Sequence, residues 1–116
     1  MKLKITIGDK TATAILYDNA AGNDFASMLP LTMELTDYNN TEKIGALPKK
    51  LSVKNAPPGF TPSVGDITCY APWGNLALFY KDFDYSKGLV SLGKITSCIE
   101  AFTISGPVMV KIELER

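Results

Sequence analysis

The chain has 116 residues, 46% of them hydrophobic, and its twelve basic and twelve acidic side chains cancel. That length suits one domain burying about two-thirds of the surface its unfolded chain exposes, and the apolar content excludes a disordered segment. Charges of both signs are interspersed without a basic stripe, which excludes the phosphate-tracking surface of a nucleic-acid binder.

Missing residue types narrow the chemistry further. The sequence has no histidine and no glutamine, and Arg116 is its only arginine. A Ser-His-Asp or Cys-His site therefore cannot be built, nor can an internal arginine fork for carboxylates or phosphates. The opening Met1-Lys2-Leu3-Lys4-Ile5-Thr6-Ile7 lacks the apolar core of a signal peptide, and no segment reaches the ~20 apolar residues of a membrane span. The expectation is a soluble cytoplasmic protein with no membrane partner. Cys69 and Cys98, outside any C-x-x-C pattern, then read as reduced thiols packed as small hydrophobes.

Leu3, Ile5 and Ile7 alternate with Lys4 and Thr6, the period of a half-buried strand. Gly8-Asp9-Lys10 turns the chain, and Thr11 to Tyr17 returns as a second strand. Asp18 or Asn19 is placed to cap a helix over Ala20 to Leu29, with Ala21, Phe25, Met28 and Leu29 on one face. Gly22 should weaken its first turn by up to ~1 kcal/mol relative to alanine, and Pro30 closes it. Leu31, Met33 and Leu35 alternate in a third strand. Tyr38-Asn39-Asn40 is a turn signal, and Thr41 to Leu47 forms a short strand.

Four prolines and two glycines between Pro48 and Gly65 predict one long ordered loop, of the kind that often carries function. Ile67 to Ala71 and Leu76 to Tyr80 are strands around the tight Pro72-Trp73-Gly74-Asn75 corner. Lys81 to Gly88 is an aromatic loop, and Leu89 to Ile95 is a strand. Ser97-Cys98-Ile99-Glu100 has capping-box spacing and predicts a helix of one or two turns. Val108, Val110, Ile112 and Leu114 alternate in the last strand. Seven or eight short strands with two short helices predict a mainly β, closed or nearly closed barrel. The helices plug its ends, and the two terminal strands pair.

Several segments resemble a family of small bacterial and archaeal proteins described as cyclophilin-like. They are Met28-Leu29-Pro30-Leu31-Thr32-Met33, Asp37-Tyr38-Asn39 with Glu42-Lys43, Leu47-Pro48, Gly65-Asp66, Ala71-Pro72, Leu78-Phe79-Tyr80-Lys81 and Leu92-Gly93-Lys94-Ile95. The resemblance spans nearly the whole chain in order and implies a closed eight-stranded barrel with two short capping helices. It implies no single activity. Relatives also occur attached to flavodoxin-like domains, which makes a protein partner near a redox domain conceivable.

A fainter likeness to the true cyclophilins, the peptidyl-prolyl isomerases, rests on Pro58-Gly59-Phe60 with Gly65-Asp66 and on Val90-Ser91-Leu92-Gly93-Lys94-Ile95. Carried over position by position, the isomerase arginine falls on Asn55, the glutamine on Ser63 and the pocket histidine on Leu89. The aromatic floor is kept at Phe60, and the second pocket phenylalanine falls on Leu78 or Phe79. The pocket tryptophan lands near Asp84 without a clear match. An isomerase works against an amide barrier of ~18–20 kcal/mol, and losing one preorganised donor costs about 2.7–4 kcal/mol. Asn55 is neutral and cannot fork, so efficient isomerisation is not expected.

The resulting expectation is a binding module. It holds a peptide or small apolar ligand in an aromatic groove built from Asn55, Phe60, Tyr70, Trp73, Leu78, Phe79 and Leu89, with no catalytic set, metal or cofactor. Two alternatives stay open. One is a weak isomerase using backbone donors with Lys54 or Asn55. The other is acid–base chemistry through Asp82, Asp84 or Glu42, which requires a carboxylate of raised pKa inside a cleft. Trp73 can equally cap the barrel as core. Asp82 and Asp84 read as solvated loop charges, and Glu42 reads as part of the Asn39-Asn40-Thr41-Glu42 loop.

Overall fold

The computed structural model describes residues 1–115; Arg116, the only arginine, lies outside them. Strand β1 (Lys2–Ile7) and strand β2 (Lys10–Leu16) form the opening hairpin. Helix α1 (Ala20–Ser27) follows, then β3 (Leu31–Tyr38) and β4 (Glu42–Ala46). The long loop carries a two-residue strand β5 (Gly59–Phe60), ahead of β6 (Asp66–Tyr70) and β7 (Asn75–Phe79). A second two-residue strand β8 (Ser86–Lys87) precedes β9 (Leu89–Ser97), and β10 (Val108–Leu114) ends the fold.

Eight strands close into an antiparallel barrel in the order β1-β10-β3-β4-β7-β6-β9-β2. The terminal strands do pair, with Ile5 opposite Ile112 and Ile7 opposite Val110. Closure leaves no open edge along the eight strands. The alternation read from the sequence becomes a barrel interior: Leu3, Ile5, Leu16, Leu35, Ile67, Leu76, Leu78 and Leu92 are almost fully buried in one cluster. Outside the barrel, β5 and β8 form their own ribbon, Gly59 opposite Lys87 and Phe60 opposite Ser86.

The two helices differ from expectation in length and in kind. Helix α1 stops at Ser27 rather than Leu29, with Met28 as its C-cap. Asn19 is the N-cap, its side chain accepting from the Gly22 amide at 2.7 Å. Gly22 is no simple liability: a Cβ there would collide with the Tyr17 carbonyl oxygen. The second element is only one 3₁₀ turn, Ile99–Phe102, and no capping box forms. Cys98 precedes it in the left-handed region with no side-chain cap. The Ser97 hydroxyl is instead 2.7 Å from that of Thr13, across the β2–β9 pairing. Phe25 and Phe102, one from each element, are fully buried in the barrel cluster.

One end of the barrel is polar. Asp37, Lys43 and Tyr80 occupy positions in step with the inward-facing Leu35 and Leu78. The Lys43 side chain is fully buried. Its ammonium donates to the carbonyls of Ile104 at 2.6 Å and Gly106 at 2.7 Å, and pairs with Asp37 at 2.8 Å. Asp37 also accepts from the Tyr80 hydroxyl and the Gly106 amide, both at 2.9 Å. The Lys43 bond comes first in holding the Asp37 carboxyl below its usual pKa, while burial and then Asp37 push the Tyr80 hydroxyl up to about 12. Breaking a buried pair by removing one partner strands the other charge. Lys43→Met should therefore destabilise the fold by about 3 kcal/mol in urea unfolding, and a loss under about 1 kcal/mol would show that this cluster contributes little.

The candidate site is an aromatic cleft on the outer barrel wall

The period of a strand sends neighbours to opposite faces. On β4, Lys43 points into the barrel, so Glu42 and Ile44 point out. The register sets Glu42 opposite Phe79 and Ile44 opposite Ala77, while Leu89 of β9 lies opposite Tyr70 of β6. These outward residues form a second hydrophobic cluster, separate from the interior: Ala77, Phe79 and Leu89 are buried, with Ile44, Phe60 and Tyr70 packed against them. The cluster is roofed by the loops around the β5–β8 ribbon. The Gly88 amide donates to Pro58 at 2.8 Å, the Phe83 amide to Pro62 at 3.2 Å and the Gly65 amide to Phe79 at 2.8 Å.

The roof is incomplete. A cleft of about 330 Å³ opens over Glu42, Ile44, Ala77 and Phe79, walled by Tyr38, Tyr70, Trp73 and Phe83, with Lys87 also in its lining. Trp73 sits on the predicted corner, where the Trp73 and Gly74 amides donate to the Tyr70 carbonyl at 3.2 and 2.9 Å. It is 57% exposed and so is not barrel core. Its ring meets Tyr70 edge-on at 5.1 Å between centroids and Tyr38 at 5.9 Å. The Asn39-Asn40 turn, with φ of 54° and 53°, ends β3 beside this wall. Such a turn suits two positive-φ residues between paired strands.

A second cleft of about 300 Å³ lies beside helix α1, lined by Asn19, Lys54, Asn55, Pro57, Phe60 and Ser91 among others. Leu89 contributes to the walls of both clefts. The expected single groove is thus two. Tyr70, Trp73, Phe79 and Leu89 come together in the first, and Asn55, Phe60 and Leu89 in the second. Leu78 lines neither cleft. It is 1% exposed and belongs to the barrel interior, because β7 turns it inward and its neighbour Phe79 outward.

The polar positions carried over from the isomerases are engaged differently here. Ser63 donates from both its amide and hydroxyl to Asp66, at 2.7 and 3.1 Å. Asn55 is exposed in a left-handed conformation (φ 63°) at the mouth of the second cleft. Of the expected loop carboxylates, Asp82 accepts from the Val64 amide at 2.9 Å and is exposed. Among the described residues no three potential metal ligands cluster, and no helix is long and apolar enough to cross a membrane.

Glu42 falls within the strand predicted over Thr41 to Leu47, but it is enclosed rather than a solvated loop charge. It is not in the preceding loop; it is the first residue of β4, and it is only 9% exposed. Burial pushes its carboxyl up from the usual 4.5 to about 7. No hydrogen bond or ion pair engages that carboxyl among the described residues. The available signal was the pattern Glu42-Lys43-Ile44-Gly45: whichever face carries Ile44 also carries an acid.

A small closed antiparallel barrel defines the class, and comparison with known proteins agrees on that fold. The model of the cyclophilin-like family matches residues 5–113, and the chain belongs to that family. The fold is similar to the solution structure of a hypothetical protein from Archaeoglobus fulgidus. The two share 16% identity and a TM-score of 0.67 over 99% of this chain and 95% of the other. No curated protein matches the chain.

The raised Glu42 pKa makes a stability prediction. A carboxyl that is harder to ionise when folded contributes fully below its unfolded value near 4.5, and that contribution is lost as pH rises through about 7. Glu42→Gln removes this dependence. The wild-type protein should lose on the order of 2 kcal/mol relative to the variant between these pH values in urea unfolding. A difference that does not change with pH would refute the buried acid.

Proposed function

We propose that the protein is a binding module that holds a peptide or small ligand with an apolar ring in the cleft between Trp73 and Phe79. The observation that carries this reading is the second hydrophobic cluster itself. Ala77, Phe79 and Leu89 are packed as a small core outside the barrel, yet the ring-lined space above them is left open. Apolar surface held concave by rigid strands favours a ligand that removes it from water, at about 25 cal/mol per Å² buried.

Trp73 sets most of the affinity on this reading. A tryptophan held edge-on by two tyrosines presents a large surface that loses little freedom on binding. The isomerase alternative has less behind it. Asn55 and Lys54 reach the rim of the second cleft, but neither offers a planar fork fixed over an amide nitrogen.

NMR exchange spectroscopy with an Ala-Pro peptide separates the readings. Shifts confined to residues around Trp73, Phe79 and Leu89, without faster cis–trans exchange, are expected. Accelerated exchange would replace the binding reading with the isomerase one. Trp73→Ala should weaken binding by about tenfold or more while changing stability by less than about 0.5 kcal/mol, and unchanged affinity would sink the assignment of this cleft.

A further inference from the structure

Glu42 stands in a place that a purely apolar ligand does not explain. The residue is 9% exposed and lines the wall of the cleft; its carboxyl oxygens reach solvent only there, and no group among the described residues bonds them. Isolated buried carboxyl groups are costly unless something compensates them. The neighbouring cation cannot do so, since Lys43 faces the barrel interior and is committed to Asp37 and two carbonyls. Lys87 lines the same cleft from β8 but is exposed and forms no ion pair with Glu42.

The remaining walls add a second preference. Tyr38, Tyr70 and Trp73 meet at 86° and 89°, so they stand as perpendicular panels rather than a stack. Phe79 and Phe83 add two more rings, and Asn39, Asn75 and Ser86 add polar groups to the lining. Aromatic faces carry the negative part of the ring quadrupole and attract a cation within about 6 Å. One buried acid among aromatic panels is the chemistry that recognises a substituted ammonium ion.

We infer that the cleft over Glu42 selects a small organic cation bearing an alkylated ammonium group. This rests on the binding-module reading and specifies its ligand. A hard metal ion does not fit, because the lining supplies one carboxylate and no cluster of three ligands forms among the described residues. A primary ammonium needs several acceptors to replace its water; an alkylated one needs only charge and apolar contact. The cavity of about 330 Å³ is large enough for a small organic cation.

Binding is then linked to ionisation of Glu42, whose carboxyl sheds its proton as the cation enters. The titratable groups lining the cleft with it are Tyr38 from β3, Tyr70 from β6 and Lys87 from β8, with Asp37, Lys43 and Tyr80 bonded together at the barrel end. None of the three facing groups is an acid that would substitute for it.

The test uses the full chain with two probes of the same shape: choline and dimethylbutanol, which carries a tert-butyl group in place of the trimethylammonium. Trp73 fluorescence and amide shifts report occupancy. Choline should bind roughly tenfold more tightly than its uncharged isostere at about pH 8, and this advantage should shrink towards about pH 6. Glu42→Gln should abolish both the preference and its pH dependence.

Equal affinities of the wild-type protein for the two probes would overturn the cationic assignment and leave the cleft as a neutral apolar site. Binding of the Ala-Pro peptide without any response to choline would do the same. No response of the cleft to choline, isostere or peptide would remove the binding reading along with it. Much tighter binding of a trimethyllysine peptide than of choline would overturn the small-molecule assignment in favour of a protein partner. The probe comparison on the wild-type chain stands even if Glu42→Gln fails to fold.

Discussion

The pairing of β1 with β10 governs the rest of this structure. It joins the two ends of the chain, with Leu3 opposite Leu114 and Ile7 opposite Val110. Without it the other strands would form an open sheet with two exposed edges and a wet interior face. With it, each strand residue has only two directions available, into the barrel or out of it. That constraint gives the core its composition, and it also creates the site.

The clearest consequence lies at Glu42 and Lys43. Two adjacent residues of opposite charge are both buried, and the strand period sends them to different places. Lys43 enters the barrel end, where Asp37 and the carbonyls of Ile104 and Gly106 satisfy it, Asp37 in turn accepting from the Tyr80 hydroxyl. Glu42 emerges on the outer wall among rings, with no bonded partner among the described residues. The same device separates Leu78 from Phe79, one being interior core and the other cleft floor. Close backbone packing supports the wall: Gly93 of β9 sits so near the Ile15 carbonyl of β2 that a Cβ would collide with it.

Membership of the cyclophilin-like family describes the scaffold. The outer wall of this barrel keeps aromatic shape at Phe60 and Phe79, whereas the polar positions are occupied by Asn55, Ser63 and Leu89. Ser63 is tied to Asp66 and Leu89 is buried between two clefts.

Local pattern was enough for much of the architecture. The alternation in Lys2–Ile7, Leu31–Tyr38 and Val108–Leu114 announced strands, and the Asn-Asn and Trp-Gly corners announced turns, because these signals are written in neighbouring residues. Trp73, Tyr70 and Phe79 were recognisable as ring-bearing candidates for the same reason. Local pattern failed where a side chain had competing partners far along the chain. Ser97 had the spacing of a cap, yet its hydroxyl is taken by Thr13 on the neighbouring strand β2. Gly22 looked like a weak helix residue until the Tyr17 carbonyl filled the space beside it. Which residue of the pair Leu78 and Phe79 faces the cleft, and whether Glu42 is solvated or enclosed, depend on register between strands separated by dozens of residues. Residue types and their periods determine that strands exist and close a barrel. Only closure in three dimensions decides which face each residue joins, because burial is a property of neighbours that the chain order does not list.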